Sequence, residues 1–117
     1  MNKRQTGSRW EDEAARFLTQ CGLQIKEMNF RSRFGEIDII AKDEEFFVFV
    51  EVKYRKTASF GNPEEAVDHK KAGKISKVAD YYRVCRKIPA DAKMRFDVVA
   101  IEGDDFKWYK NAFYYTA

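Results

Sequence analysis

The feature that most constrains this chain is a pair of apolar runs around one polar turn, each interrupted by a single acid. Ile37-Asp38-Ile39-Ile40-Ala41 reads as one strand and Phe46 to Tyr54 as another, with Lys42-Asp43-Glu44-Glu45 turning between them. Five consecutive apolar residues, Phe46–Val50, predict a second strand that is central and covered on both faces. If the hairpin turns between Glu44 and Glu45, Asp38 falls opposite Glu51, Ile39 opposite Val50 and Ile37 opposite Val52. Facing side chains on one sheet surface have Cβ atoms about 4.5–5.5 Å apart. Two carboxylates at that spacing inside an apolar hairpin repel each other and lose solvation, so a cation is expected beside them.

Lys53 follows Glu51 by two residues and therefore shares its face. Two hard oxygen donors suit Mg²⁺ or Mn²⁺. A divalent ion beside an ammonium is an apparatus for hydrolysing a phosphodiester, the ion acting on water and phosphate charge and Lys53 orienting water or stabilising developing charge. The competing reading is a buried ion-pair network of Asp38, Glu51 and Lys53 with no chemistry. Glu-x-Lys alone is a weak signal; Asp38 on the facing strand strengthens it.

Around this hairpin the periodicity changes. Trp10, Ala14, Phe17, Leu18 and Cys21 recur at helical spacing and predict a helix over Arg9–Cys21. Ser8 and Glu11 have the spacing of a capping box, and Gly22 is a natural stop. A short strand is expected at Leu23–Met28, then a basic connection through Arg31 and Arg33. Asn62-Pro63-Glu64-Glu65 has the chemistry of a helix start, and the helix is expected to run to about Lys87, with Val67, Ile75, Val78, Ala79, Tyr82 and Cys85 facing inward. Strands over Met94–Ile101 and Phe106–Phe113 complete the order α-β-β-β-α-β-β. This is an α/β domain with a central mixed sheet flanked by helices.

At 117 residues, the whole chain 1–117 is expected to form one domain. With 44% hydrophobic and 35% charged residues, it belongs with globular rather than disordered chains. No apolar run approaches the ~18 residues that cross a bilayer, and no apolar signal region follows the basic N-terminus. The expectation is a cytoplasmic protein without a membrane partner. Cys21 and Cys85 are expected to be free, buried thiols; together with the single His69 they lack zinc-ligand spacing. His69 reads as a solvated helix residue.

The charge is uneven. Residues 36–52 carry one Lys/Arg against six Asp/Glu, net −5, and residues 53–95 carry twelve against five, net +7. An acidic block followed by a basic one suits a protein that gathers cations and meets a polyanion, although many such charges are simply solvated helix faces. Arg31, Arg33, Arg55, Lys71 and Lys74 are the candidate phosphate contacts, within a basic series that includes Lys56, Lys70 and Lys77.

Three segments together carry a family resemblance. Gly35-Glu36-Ile37-Asp38-Ile39-Ile40-Ala41, Phe49-Val50-Glu51-Val52-Lys53-Tyr54-Arg55 and Arg95-Phe96-Asp97-Val98-Val99-Ala100 resemble the bacterial YraN family. Gly7-Ser8-Arg9-Trp10-Glu11-Asp12-Glu13-Ala14, Asn29-Phe30-Arg31 and Ala66-Val67 through Lys71 extend the likeness over nearly the whole chain. That family is a branch of the PD-(D/E)XK nuclease superfamily and is similar to archaeal Holliday-junction resolvases.

The resemblance implies a restriction-endonuclease-like fold and a Mg²⁺- or Mn²⁺-dependent endonuclease acting on DNA, including branched DNA. A nucleic-acid-binding module with that fold and little catalysis is the alternative, and a homodimer is admitted beside the monomer. By position, Asp38 and Glu51 match the metal-binding acids, and Lys53 matches the motif lysine. The carbonyl of Val52 matches a further ligand. Glu11 matches an acid that helps hold metal or water, and Lys71 a helix cation near phosphate. Ile37 stands where the superfamily name expects Pro, which removes no ligand. Glu11 is equally explained by helix capping. Glu36 alternates away from Asp38, which favours a structural or DNA-side role, and Asp97 reads first as the anchor of a sheet-end hydrogen bond.

Overall fold

A computed structural model describes residues 3–55 and 69–116. The elements are α1 (Lys3–Gln20), β1 (Gln24–Ser32), β2 (Gly35–Asp43), β3 (Phe46–Arg55), α2 (His69–Cys85), β4 (Lys93–Glu102) and β5 (Asp105–Phe113). The five strands form one sheet in sequence order, antiparallel except for the parallel pair β3–β4. Parallel neighbours cannot be joined by a tight turn, so α2 lies in their crossover. The result is a mixed α/β sheet in the order α-β-β-β-α-β-β, compatible with a restriction-endonuclease-like fold.

β3 is the middle strand and is sandwiched as its composition requires. Val48 and Val50 face α1, packing with Ala14, Leu18, Ile39, Val99 and Ile101. Phe49 faces α2, packing with Ile75, Val78, Tyr82, Ile40 and Phe96. Each large side chain fully buried here contributes about 1.5–3 kcal/mol. Phe49 stacks on Phe96 at 5.6 Å and meets Tyr82 edge-on at 5.9 Å, so it joins the sheet to α2.

α1 begins before the expected Arg9, so Ser8 lies within the helix rather than at its cap. Its C-terminus is closed as the sequence predicts: Gly22 has φ +102°, and the amide of Leu23 donates to the carbonyl of Leu18 at 3.0 Å. The expected start of the second helix at Asn62–Glu65, with Val67, lies outside the described residues. Cys21 and Cys85 are free but exposed, contrary to the expectation of burial. Both sit at helix ends, where the inward stripe has already run out. His69 is exposed, as expected.

The hairpin register is the predicted one over its ladder: Ile39 faces Val50, Ile40 faces Phe49 and Ala41 faces Val48. Beyond Ile39 the ladder stops. On the other side of β2, Met28 pairs with Ile39 and Phe30 with Ile37, but the intervening Asn29 and Asp38 do not pair, and Asn29 has φ +54°. Met28 and Ile39 pack in the α1 core, whereas Phe30 and Ile37 pack in the α2 core. Residues two apart in a regular strand share a face. The alternation of both strands is therefore reset at Asn29 and Asp38.

Candidate metal centre

Asp38 sits at that reset, 7% exposed, unpaired in the ladder toward either neighbouring strand. Its Oδ2 accepts the amide of Val52 at 2.8 Å. The side chain thus takes the place of a ladder carbonyl and is fixed against β3. Amide and carbonyl of one strand residue point toward the same neighbour, so the Val52 carbonyl is turned to this edge as well.

Acids from three elements gather around Asp38. Carboxylate oxygens of Glu11 on α1, Glu36 on β2 and Asp38 lie within 4.8 Å of one another. Glu51 on β3 reaches the same carboxylate from the α2 side. Burial, then the charge of Asp38 and a hydrogen bond to it, push Glu51 up to about 8 against the pull of Lys71 and Lys53. Burial and the same Asp38 charge push Glu11 up to about 7, opposed by a hydrogen bond to Asn29. Desolvation penalises the charged form first, and the like charge of Asp38 adds to it, so two separate causes act in the same direction on Glu51 and Glu11.

Glu36 departs from the expectation. It does not turn away from Asp38, because the reset of the strand abolishes the simple alternation on which that expectation rested. Its other oxygen contact is Arg31, whose Nε donates to Glu36 at 2.9 Å. The signal that could have found it was Asn29 opposite Asp38, since Asn tolerates positive φ better than most residues. Glu11 lies well inside α1 and faces Asp38, so the capping explanation for it falls away.

Two lysines complete the cluster. Lys71 on α2 lies 3.6 Å from Glu51, joining the second helix to the site. Lys53 is lowered by burial and by its hydrogen bond with Lys71. Lys71 is desolvated too, yet Lys53, Glu51 and Asp38 hold it above the ordinary range. A cavity of about 250 Å³ opens here, bounded by Phe34, Glu36, Asp38, Glu51, Lys71 and Lys74.

The remaining candidates are placed less uniformly. Lys74 lines the cavity, Arg31 is engaged by Glu36, and Arg33 lies over the ring of Phe34 at 5.0 Å. Arg55 ends β3, and its side chain is outside the description. Asp97 is elsewhere, fully buried, where it accepts from Arg95 at 3.0 Å, from Trp108 Nε1 at 2.8 Å and from the amide of Asn111 at 3.0 Å. It fastens β5 to β4 at a break in their register, a larger version of the anchoring expected of it.

The model of the uncharacterised protein family UPF0102 matches residues 10–101, a span that holds Glu11, Glu36, Asp38, Glu51, Lys53 and Lys71. The chain belongs to the UPF0102 family. This is the YraN family that the sequence motifs resemble. The UPF0102 protein of Fusobacterium nucleatum is 45% identical over 111 residues, covering 95% of this chain and 92% of its own length. That of Lachnoclostridium phytofermentans is 43% identical over 113 residues, covering 97% and 96%. That of Persephonella marina is 46% identical over 107 residues, covering 92% and 91%. UPF0102 membership carries no activity with it, so the chemistry must be argued from the side chains.

Among the described residues, no helix is long and apolar enough to cross a membrane.

The donor set fits a hard divalent cation. It offers carboxylate oxygens and one main-chain carbonyl, without sulfur or imidazole, which is the chemistry of Mg²⁺ and Mn²⁺ rather than of zinc.

Proposed function

We propose that this UPF0102 protein is a Mg²⁺- or Mn²⁺-dependent endonuclease that hydrolyses phosphodiester bonds in DNA, branched DNA included. The observation that carries the reading is the convergence on Asp38 of acids from α1, β2 and β3, with Lys53 and Lys71 beside them. A purely structural ion-pair network would balance its charges. This one leaves two carboxyl groups raised, which a bound cation would relieve.

Asp38, Glu51 and the Val52 carbonyl would hold the ion, with Glu11 and Glu36 as further oxygen donors directly or through water. When bound, such a cation supplies Lewis-acid polarisation of phosphoryl oxygens and a more acidic water. Lys53, on the Glu51 face, orients the attacking water or stabilises charge developing on the phosphate. Lys71 keeps Glu51 turned into the site, and Lys74 at the cavity wall meets the DNA backbone as a point charge.

The test is a cleavage assay on branched, duplex and single-stranded DNA with Mg²⁺, Mn²⁺ or chelator. Metal-dependent cleavage lost in Asp38→Asn supports the reading. Cleavage of nothing, with DNA binding retained, favours a binding module on a nuclease fold.

A further inference from the structure

Next to the carboxylate cavity lies a second, shallower one of about 340 Å³, lined by Phe34, Lys77, Asp80, Tyr81 and Val84. Phe34 borders both, so the second cavity adjoins the one that holds Asp38 and Glu51 at this side chain. The floor of the second cavity is aromatic and open. Tyr81 is 44% exposed and Val84 72% exposed. Tyr81 meets Phe34 edge-on at 6.3 Å and lies 6.1 Å from Phe30. Phe34 is not a wandering loop residue: its amide donates to Ser32 Oγ at 3.1 Å, which fixes the β1–β2 turn.

The surrounding charge is positive. Arg33 lies over Phe34, Lys77 is exposed at the groove, and Lys74 leads into the neighbouring cavity. Among the described residues the single acid of the lining is Asp80, which is engaged by Arg83 at 3.2 Å and by the hydroxyl of Tyr115. An exposed aromatic face ringed by cations suits a flat, apolar group attached to an anion. Unpaired nucleotides have that chemistry, and sites for single strands combine aromatic stacking with a basic groove. A paired duplex hides its base faces and gains nothing from Tyr81.

We infer that the Phe34–Tyr81 groove stacks an unpaired base of the DNA strand whose backbone runs into the carboxylate cavity, so that the protein prefers DNA with a single-stranded segment over continuous duplex. This deepens the nuclease reading and rests on it for the position of the strand.

The test is fluorescence anisotropy in chelator, without cleavage. The probes are a labelled oligothymidylate, the same strand made abasic, and a blunt duplex. Tyr81→Ala should weaken oligothymidylate binding about tenfold, within the range for loss of one stacked base. Tyr81→Phe should bind as the wild type does, and Tyr81→Leu should behave like Tyr81→Ala although it keeps apolar bulk. Binding of the abasic strand and the duplex should change by less than about twofold, since their phosphate contacts are untouched. Equal affinity of wild type and Tyr81→Ala for oligothymidylate would overturn the inference, as would an equal loss on all three probes. A dimer that dissolves in Tyr81→Ala, with oligothymidylate affinity unchanged, would assign the patch to a second copy and overturn it too. The two readings fail separately. Tyr81-dependent binding in a protein that cleaves nothing with Mg²⁺ or Mn²⁺ removes the nuclease and keeps this site; cleavage with Tyr81-independent binding does the reverse.

Discussion

The amide of Val52 donates to Asp38 Oδ2 at 2.8 Å at the point where the β2–β3 ladder has ended. Had the ladder continued, Asp38 would lie flat on the α2 face, facing Glu51 alone. Because it is released, its carboxylate stands between the two helix layers, where Glu11 approaches from one side and Glu51 from the other. A break in the sheet is thus what assembles the acids.

Metal should stabilise the protein through this carboxylate. On the proposed reading Mg²⁺ or Mn²⁺ would bind the folded site and not the unfolded chain, so millimolar metal should raise Tm by a few degrees. Asp38→Asn keeps an oxygen for the Val52 amide and removes the charge. It should fold and lose the shift. An equal shift in this variant would place the metal elsewhere, and no shift in the wild type would count against the site.

The same crowding sets a pH dependence in chelator. Glu51 rises from its ordinary 4.5 to about 8 and Glu11 to about 7, both through burial first and Asp38 second. A carboxyl whose folded pKa exceeds its unfolded value favours the folded state below about 4.5 and loses that contribution as pH climbs through the folded value. Tm should therefore fall between about pH 5 and 8 without metal, and the fall should flatten with Mn²⁺. Glu51→Gln should flatten it in chelator as well. A metal-free Tm that rises over this window would contradict the electrostatics described here.

The hairpin was legible because periodicity and register are local. Alternating Ile, Val and Phe marked the two strands, and a two-residue turn at Glu44 and Glu45 set Ile39 against Val50. The fold class followed from the element order. Glu36 was not legible, because its place depends on the backbone of Asn29, on another strand. The early start of α1 was hidden by a polar first turn that gives no apolar stripe. The Phe34–Tyr81 groove could not be read either, since it joins a turn to a helix 47 positions later in the numbering.

Asp97 should matter for stability and not for metal. It is the buried acceptor for Arg95, which is itself only 9% exposed and also pairs with Asp43 at 3.0 Å. Removing Asp97 leaves Arg95 with Asp43 alone and strips the Trp108 Nε1–H and the Asn111 amide of their acceptor, and each buried donor left unsatisfied costs about 1–3 kcal/mol. Asp97→Ala should lower the denaturation midpoint accordingly. Residual folded protein should still show the metal shift, which separates this cluster from the one around Asp38.

DNA binding in chelator should weaken as salt rises, because phosphate contacts release counterions. Lys74→Ala should reduce the slope of log affinity against log salt by about one contact's worth. Binding that ignores salt would exclude the basic face as the DNA surface.

Lys53 decides between an enzyme and a binding module. It shares the Glu51 face but is an ammonium, so it contributes no ligand to a cation. Burial and Lys71 lower it, which makes it a better proton partner for water than a solvated lysine. Lys53→Ala should leave the metal-induced Tm shift nearly intact and reduce cleavage about 10²–10³-fold, the scale for losing one preorganised charge-stabilising donor. Asp38→Asn and Glu51→Gln should lose both shift and cleavage. DNA affinity in chelator should survive all three changes, rising slightly in the two that remove an acid from the path of the phosphates. Cleavage by Lys53→Ala at the wild-type rate would move the work from Lys53 to another group, and Lys71→Ala on top of Lys53→Ala would then show whether the second ammonium had taken it over.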